Sequence, residues 1–299
     1  MPTPMESQPA ARRPAVAQSR RPPAFPPAWA DAWSDDRFGL WAEFSVGAVV
    51  QRLRWVEPGS YWMGSPDEER ALICNKGAEA WARNEAPRHA VRVTSGFWLA
   101  DSACTQALWL AVSGGNPGHF KGDDALPVEQ VSWDDVQGFL QRLQAGLPEG
   151  SDAVLPTEAQ WEYACRAGTE TPFSFGATLT TAQANYDGNY PYGKAPKGAY
   201  RERTVPVKSL PPNTWGLYEM HGNVWEWCAD DQRDYAGTAL PDGALEDPWG
   251  PVSQEPEAHR AVRGGSWVYH AGFLRSAIRR RYRRGDRYRY LGFRVALRS

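Results

Sequence analysis

The chain has 299 residues, 42% of them hydrophobic, which is enough to bury a full core, and its net charge of −2 excludes a protein that works by bulk charge alone. Fifteen Trp beside 28 Gly and 25 Pro point to a core filled by large rings between many turns. No apolar run is long enough for a membrane span or a signal-peptide core, and Cys74, Cys104, Cys165 and Cys228 form no CxxC pair, so a reduced cytoplasmic protein is expected.

Residues 1–30, rich in Pro, Ala and Arg, read as a disordered tail. Residues 31–52, with aromatic and β-branched side chains, read as an N-terminal extension packed on the domain that runs over 53–299. Leu53–Gly64 predicts two short strands around a Pro-Gly turn, and His89–Val93 and Phe97–Ala100 predict two more. Thr105 is placed to cap a short helix. Ser132 caps a clearer one, with Asp134 and Asp135 in its first turn and Val136, Phe139, Leu140 and Leu143 on one face. Thr157-Glu-Ala-Gln160 is a capping-box pattern that opens a third. From Gly168 to about Pro212 the chain is loop-rich.

The last stretch, Arg263 to Ala296, is unlike the rest. Its ends, Val262–Trp267 and Gly292–Ala296, alternate as strands do, while its middle is Tyr, Arg, His and Phe without a period. Seven Arg and one Asp lie between Arg279 and Arg289. The frame R263-G-G-S-W…R275-S-A-x-R279…G292-F-R, preceded by G216-L-Y-E-M-H-G-N-V-W-E-W227, resembles the formylglycine-generating-enzyme (sulfatase-modifying factor) family. The resemblance implies an α+β, C-type-lectin-like fold from about residue 53, loop-rich with short strands and few helices.

The family includes copper oxidases, iron-dependent sulfoxide synthases and non-catalytic ligand-display proteins. The resemblance places the two copper-binding thiolates of the oxidases at Tyr269 and Leu274, neither of which is a soft ligand. The iron-dependent members use three histidines, largely from a preceding helical domain. The five here (His89, His119, His221, His259, His270) include no i,i+4 pair. A phosphate loop, an HExxH helix and a nucleophile elbow are likewise missing, so no catalytic residue is expected. The resemblance further implies a structural Ca²⁺, for which Asn223, Glu226 and Asn185 are the matching oxygen donors; a hydrogen-bonded turn is the alternative.

What remains is display. The resemblance is greatest to variable proteins of diversity-generating retroelements, which rewrite adenine positions in a C-terminal repeat. Laid on that frame, the variable positions are Val268, Tyr269, His270, Phe273, Ile278, Arg280, Tyr282, Asp286, Tyr288, Arg289 and Tyr290. Adenine changes in Asn codons never yield Lys, Glu, Gln, Met or Trp, and none of these occurs from Val268 to Leu291. Tyr and Arg are the residues of binding hot spots, so a protein ligand is expected. Arg275, Arg279, Arg281, Arg287 and Arg294 fall on the frame, where they are expected to hold loops by bonding carbonyls. The alternatives are an inactive member acting as an accessory module, a nucleic-acid binder, an unrecognised metal-dependent oxidase, or a merely solvated basic face.

Overall fold

The structure, a computed structural model, describes residues 20–74, 82–235 and 243–298. The tail over residues 1–19 and the side chain of Cys74 lie outside the described residues. Among the described residues the strands form three sheets. The largest begins with β1 (Ala32–Asp36), β2 (Gly39–Val46) and β3 (Val49–Val56), an antiparallel meander. It continues through β6 (Phe97–Ala100), the C-terminal β13 (Ala296–Arg298) and β7 (Asp152–Val154), in the order β1-β2-β3-β6-β13-β7. The last strand of the chain is therefore inserted into a sheet built from its beginning.

Alternation explains β3. Leu53 and Trp55 face the core, while Arg54 turns the other way and forms a two-pronged bond with Asp36 on β1. Opposite them, Trp98 meets Trp55 and Trp29 at centroid distances of 5.4 Å, the latter edge-on. This cluster corrects the expected domain start. Trp29 is buried, Phe25 stacks on Trp98, and the Trp55 indole donates to the Arg20 carbonyl at 2.7 Å. Residues 20–30 are therefore packed rather than tail, because a few contacts from large rings outweigh a Pro-rich composition. Residues 31–52 are integral strands of the main sheet, not an appendage.

The helices follow their caps. Besides α1 (Asp67–Cys74), they are α2 (Gln106–Ser113), α3 (Trp133–Gln144) and α4 (Glu158–Arg166). Thr105 accepts from the Leu108 amide, and Ser132 and Thr157 each close a reciprocal capping box. The apolar face of α3 buries Val136, Phe139, Leu140 and Leu143 beneath the main sheet's aromatic cluster.

A second sheet, order β11-β10-β8-β12, holds β8 (Trp225–Trp227), β10 (His259–Arg263), β11 (Arg280–Arg283) and β12 (Leu291–Gly292). The third, order β4-β5-β9, holds β4 (Gly59–Met63), β5 (His89–Val93) and β9 (Leu245–Glu246). The strand expected over Val262–Trp267 stops at Arg263, because Gly264 and Gly265 take φ of 98° and 75°. A side chain at Gly265 would run into the Phe273 carbonyl. The strand expected over Gly292–Ala296 likewise splits into β12 and β13, with Phe293, Arg294 and Val295 buried between them. Among the described residues no helix is long and apolar enough to cross a membrane.

Candidate binding surface

The segment from Arg263 to Ala296 sorts into side chains that point in and side chains that point out. Four arginines point in. Arg294 grips Glu226 with two bonds of 2.6 and 2.8 Å and donates to the carbonyls of Ala100 and Tyr218. Arg275 bonds Glu69 and both oxygens of Glu85. Arg279 pairs with Glu158, lies 3.7 Å from the centre of the Tyr235 ring, and donates to the carbonyls of Asn84 and Arg233. Arg263 pairs with Glu162. Burial would raise the Glu162 carboxyl, but Arg263 and Arg166 together carry it below the ordinary carboxylate value. The frame arginines thus bind carboxylates as well as the expected carbonyls. Of the other two, Arg287 reaches Asp135 with bonds of 2.7 and 2.8 Å at the surface, and Arg281 is exposed.

His221 adds a neutral anchor that the sequence reading missed. Its Nε2 accepts from the Ser174 amide at 3.0 Å, so Nδ1 carries the proton and donates to the Leu274 carbonyl at 2.6 Å. Burial pushes the ring's pKa down to about 4, which keeps it uncharged at neutral pH. Nothing in the spacing around His221 signals this role, since its partners lie 47 and 53 residues away.

On this frame stands an aromatic patch. Tyr269, Tyr282, Tyr288 and Tyr290 form one cluster, with Tyr288 and Tyr290 stacked at 5.1 Å and Tyr269 edge-on to Tyr290 at 5.7 Å. Phe273 lies 5.3 Å from Tyr269 and carries His270 at 4.4 Å. Trp225 and Trp227 support the cluster from β8, edge-on to Tyr269 and Tyr282. Arg280 donates to the Tyr269 hydroxyl at 2.5 Å and lies over the rings of Tyr269 and Tyr282. Arg289 points to the other side, over Trp267 at 5.2 Å. Burial pushes the Tyr290 phenol up to about 12 and Tyr282 further, so both hydroxyls stay protonated.

Seven of the eleven expected positions meet here: Tyr269, His270, Phe273, Arg280, Tyr282, Tyr288 and Tyr290. Val268 is half-buried beside them. Asp286 folds back to accept from the Arg283 amide at 3.0 Å, closing a turn. Ile278 is a correction. It is 1% exposed in the main core, on the irregular stretch just before β11. Tyr282 is also largely buried, and it serves as the floor of the patch.

The two positions matched to oxidase thiolates differ in fate: Tyr269 lies in the patch and Leu274 is fully buried. Cys104, Cys165 and Cys228 are buried thiols, and burial raises Cys165 to about 12. The side chains expected to hold Ca²⁺ are engaged in hydrogen bonds within the protein. Glu226 is held by Arg294 and by the Trp161 indole. The Asn185 amide donates to Asn223 Oδ1, which also accepts from the Val205 amide. Asn185 Oδ1 is buried without a hydrogen bond. Among the described residues no three His, Cys, Asp or Glu side chains gather to hold a metal.

Residues 42–299 match the model of the sulfatase-modifying factor enzyme 1-like domain. The chain is 32% identical over 203 residues to the formylglycine-generating enzyme of Mus musculus, an alignment that covers 63% of this chain and 50% of that one. It spans about half the length of the curated relatives it matches first. Among solved structures it is similar to Treponema denticola variable protein 1, with a TM-score of 0.67 and 25% identity over 87% of this chain and 99% of that one. It is equally similar to PvdO from Pseudomonas aeruginosa, with a TM-score of 0.67 and 27% identity over 86% and 98%.

Proposed function

The chain belongs to the sulfatase-modifying factor enzyme 1-like domain family, with its α+β, C-type-lectin-like fold, and from that starting point we propose that this member is a non-catalytic ligand-display protein. Its C-terminal segment is a diversified binding surface for a protein ligand. One observation carries this reading: the outward side chains of the segment form a continuous Tyr, Phe and Arg patch, while its inward arginines are locked into buried carboxylates. Half-exposed tyrosines on a rigid support present large area at little cost in side-chain entropy, which is how antibody paratopes work. The likeness to a protein named variable protein 1 supports the same reading. Tyr269 and Leu274, where the resemblance puts oxidase thiolates, favour display over copper chemistry.

The experiment is to sequence the DNA downstream of the gene. A near-copy of the 263–296 coding segment, carrying adenines where the gene differs, is the expected result. Without such a repeat, diversification fails for this locus. Turnover of a cysteine-containing peptide to an aldehyde by the copper-loaded protein would overturn the non-catalytic reading itself.

A further inference from the structure

We propose that the cavity along the outer edge of β11 binds a small oxyanion, a phosphate or a carboxylate. The cavity holds about 270 Å³ and is lined by Asn84, Gln232, His259, Arg280, Arg281 and Tyr282. Asn84, Gln232, His259 and Arg281 bring two carboxamides, an imidazole and a guanidinium to it, Arg280 and Tyr282 border it, and no carboxylate is among its lining residues.

The strand register explains how these groups converge. Ala261 pairs with Arg281 and His259 with Arg283, so His259 and Arg281 share one face as diagonal neighbours, about 7–8 Å apart. An oxyanion fits between two such side chains. The Arg284 amide donates to Ala258, and the register alternates from there, so the amide of Arg281 points away from β10. The Arg283 amide, which has the same orientation, turns out to Asp286. β11 is the outermost described strand of its sheet, and three consecutive residues line the cavity, which therefore runs along that edge.

The walls are held from beneath. Arg279 donates to the carbonyls of Asn84 and Arg233 at 2.8 Å each, tying both loop segments to one buried guanidinium that Glu158 neutralises. Elsewhere along the segment arginines meet acids: Arg275 with Glu85, Arg283 with Glu257, Arg284 with Asp134 and Arg287 with Asp135. Arg281 has no such partner among the described residues, and its frame position is not otherwise explained. A planar fork of donors beside an imidazole and two amides is well suited to a small oxyanion. The inference rests on His259 and Arg281, neither of which is a variable position, while Arg280 and Tyr282 border the cavity from the aromatic patch.

The test is a titration of the isotopically labelled protein with inorganic phosphate, followed by NMR at constant ionic strength. The expected result is a saturable shift of the Arg281 amide, with a dissociation constant in the low millimolar range. The double variant His259→Gln with Arg281→Gln should weaken binding roughly tenfold or more. Arg287→Gln, outside the cavity and held by Asp135, should leave it unchanged. Both cavity residues are exposed, and the spectra themselves report whether the variants are folded. A parallel titration with acetate separates the two chemistries: saturation by acetate alone identifies a carboxylate site, and by phosphate alone a phosphate site. Shifts that never saturate with either ion, or equal affinity in the double variant, would overturn the proposal.

Discussion

Arg294 and Arg289 lie five residues apart in one segment and do opposite work. Arg294 is fully buried, with both Glu226 oxygens and two carbonyls within reach. Arg289 is exposed, with its guanidinium over the Trp267 ring at 5.2 Å. The same contrast recurs between Arg279 on Glu158 and Arg280 on the tyrosines. An arginine here is scaffold where a buried carboxylate meets it and surface where none does. Composition alone sees one basic run. Burial divides it into a support that must stay constant and a face that tolerates change.

The contrast breaks most visibly at Arg294. Arg294→Met should destabilise the fold by about 3–5 kcal/mol, because it strands the Glu226 carboxylate without its partner in the core. Chemical denaturation measures it, and a loss under about 1 kcal/mol would mean that the pair is not scaffold. Ile278→Ala should follow, at about 2–5 kcal/mol for a cavity in the packed core. A variable position would instead tolerate the change with little loss of stability, so Ile278 discriminates between its sequence and structural assignments.

These residues also mark how far the sequence was legible. The helices of Ser132 and Thr157 were readable because a cap and its partner are three residues apart. The frame motif was readable as a pattern, but its physics was not. Arg275 and Glu85 are separated by 190 residues, so no local spacing announces their pairing. Ile278 was misplaced because a lone apolar residue among arginines has no period to reveal its facing. Trp29 and Phe25 were hidden by the prolines around them. Seven of the eleven expected surface positions converge because the frame fixes where the outward side chains fall.

The smallest effect concerns a buried carboxylate that the frame does not pair. Glu219 accepts from the Lys208 amide at 3.1 Å, while its other oxygen is buried without a bond. Burial, with the nearby Asp101 charge adding to it, pushes the carboxyl up to about 7. Because this folded value lies above the unfolded one, the stability it contributes is fully present below about pH 4.5 and is lost as pH rises through about 7. Glu219→Gln removes the titrating group and keeps an acceptor for the Lys208 amide. The variant should therefore gain on the wild type by roughly 1–3 kcal/mol between pH 4.5 and pH 8. Thermal melts of both proteins at the two pH values check the sign. A gap that stays constant with pH would mean that Glu219 is ionised throughout, and that Arg294, which already holds Glu226, also stabilises this second carboxylate.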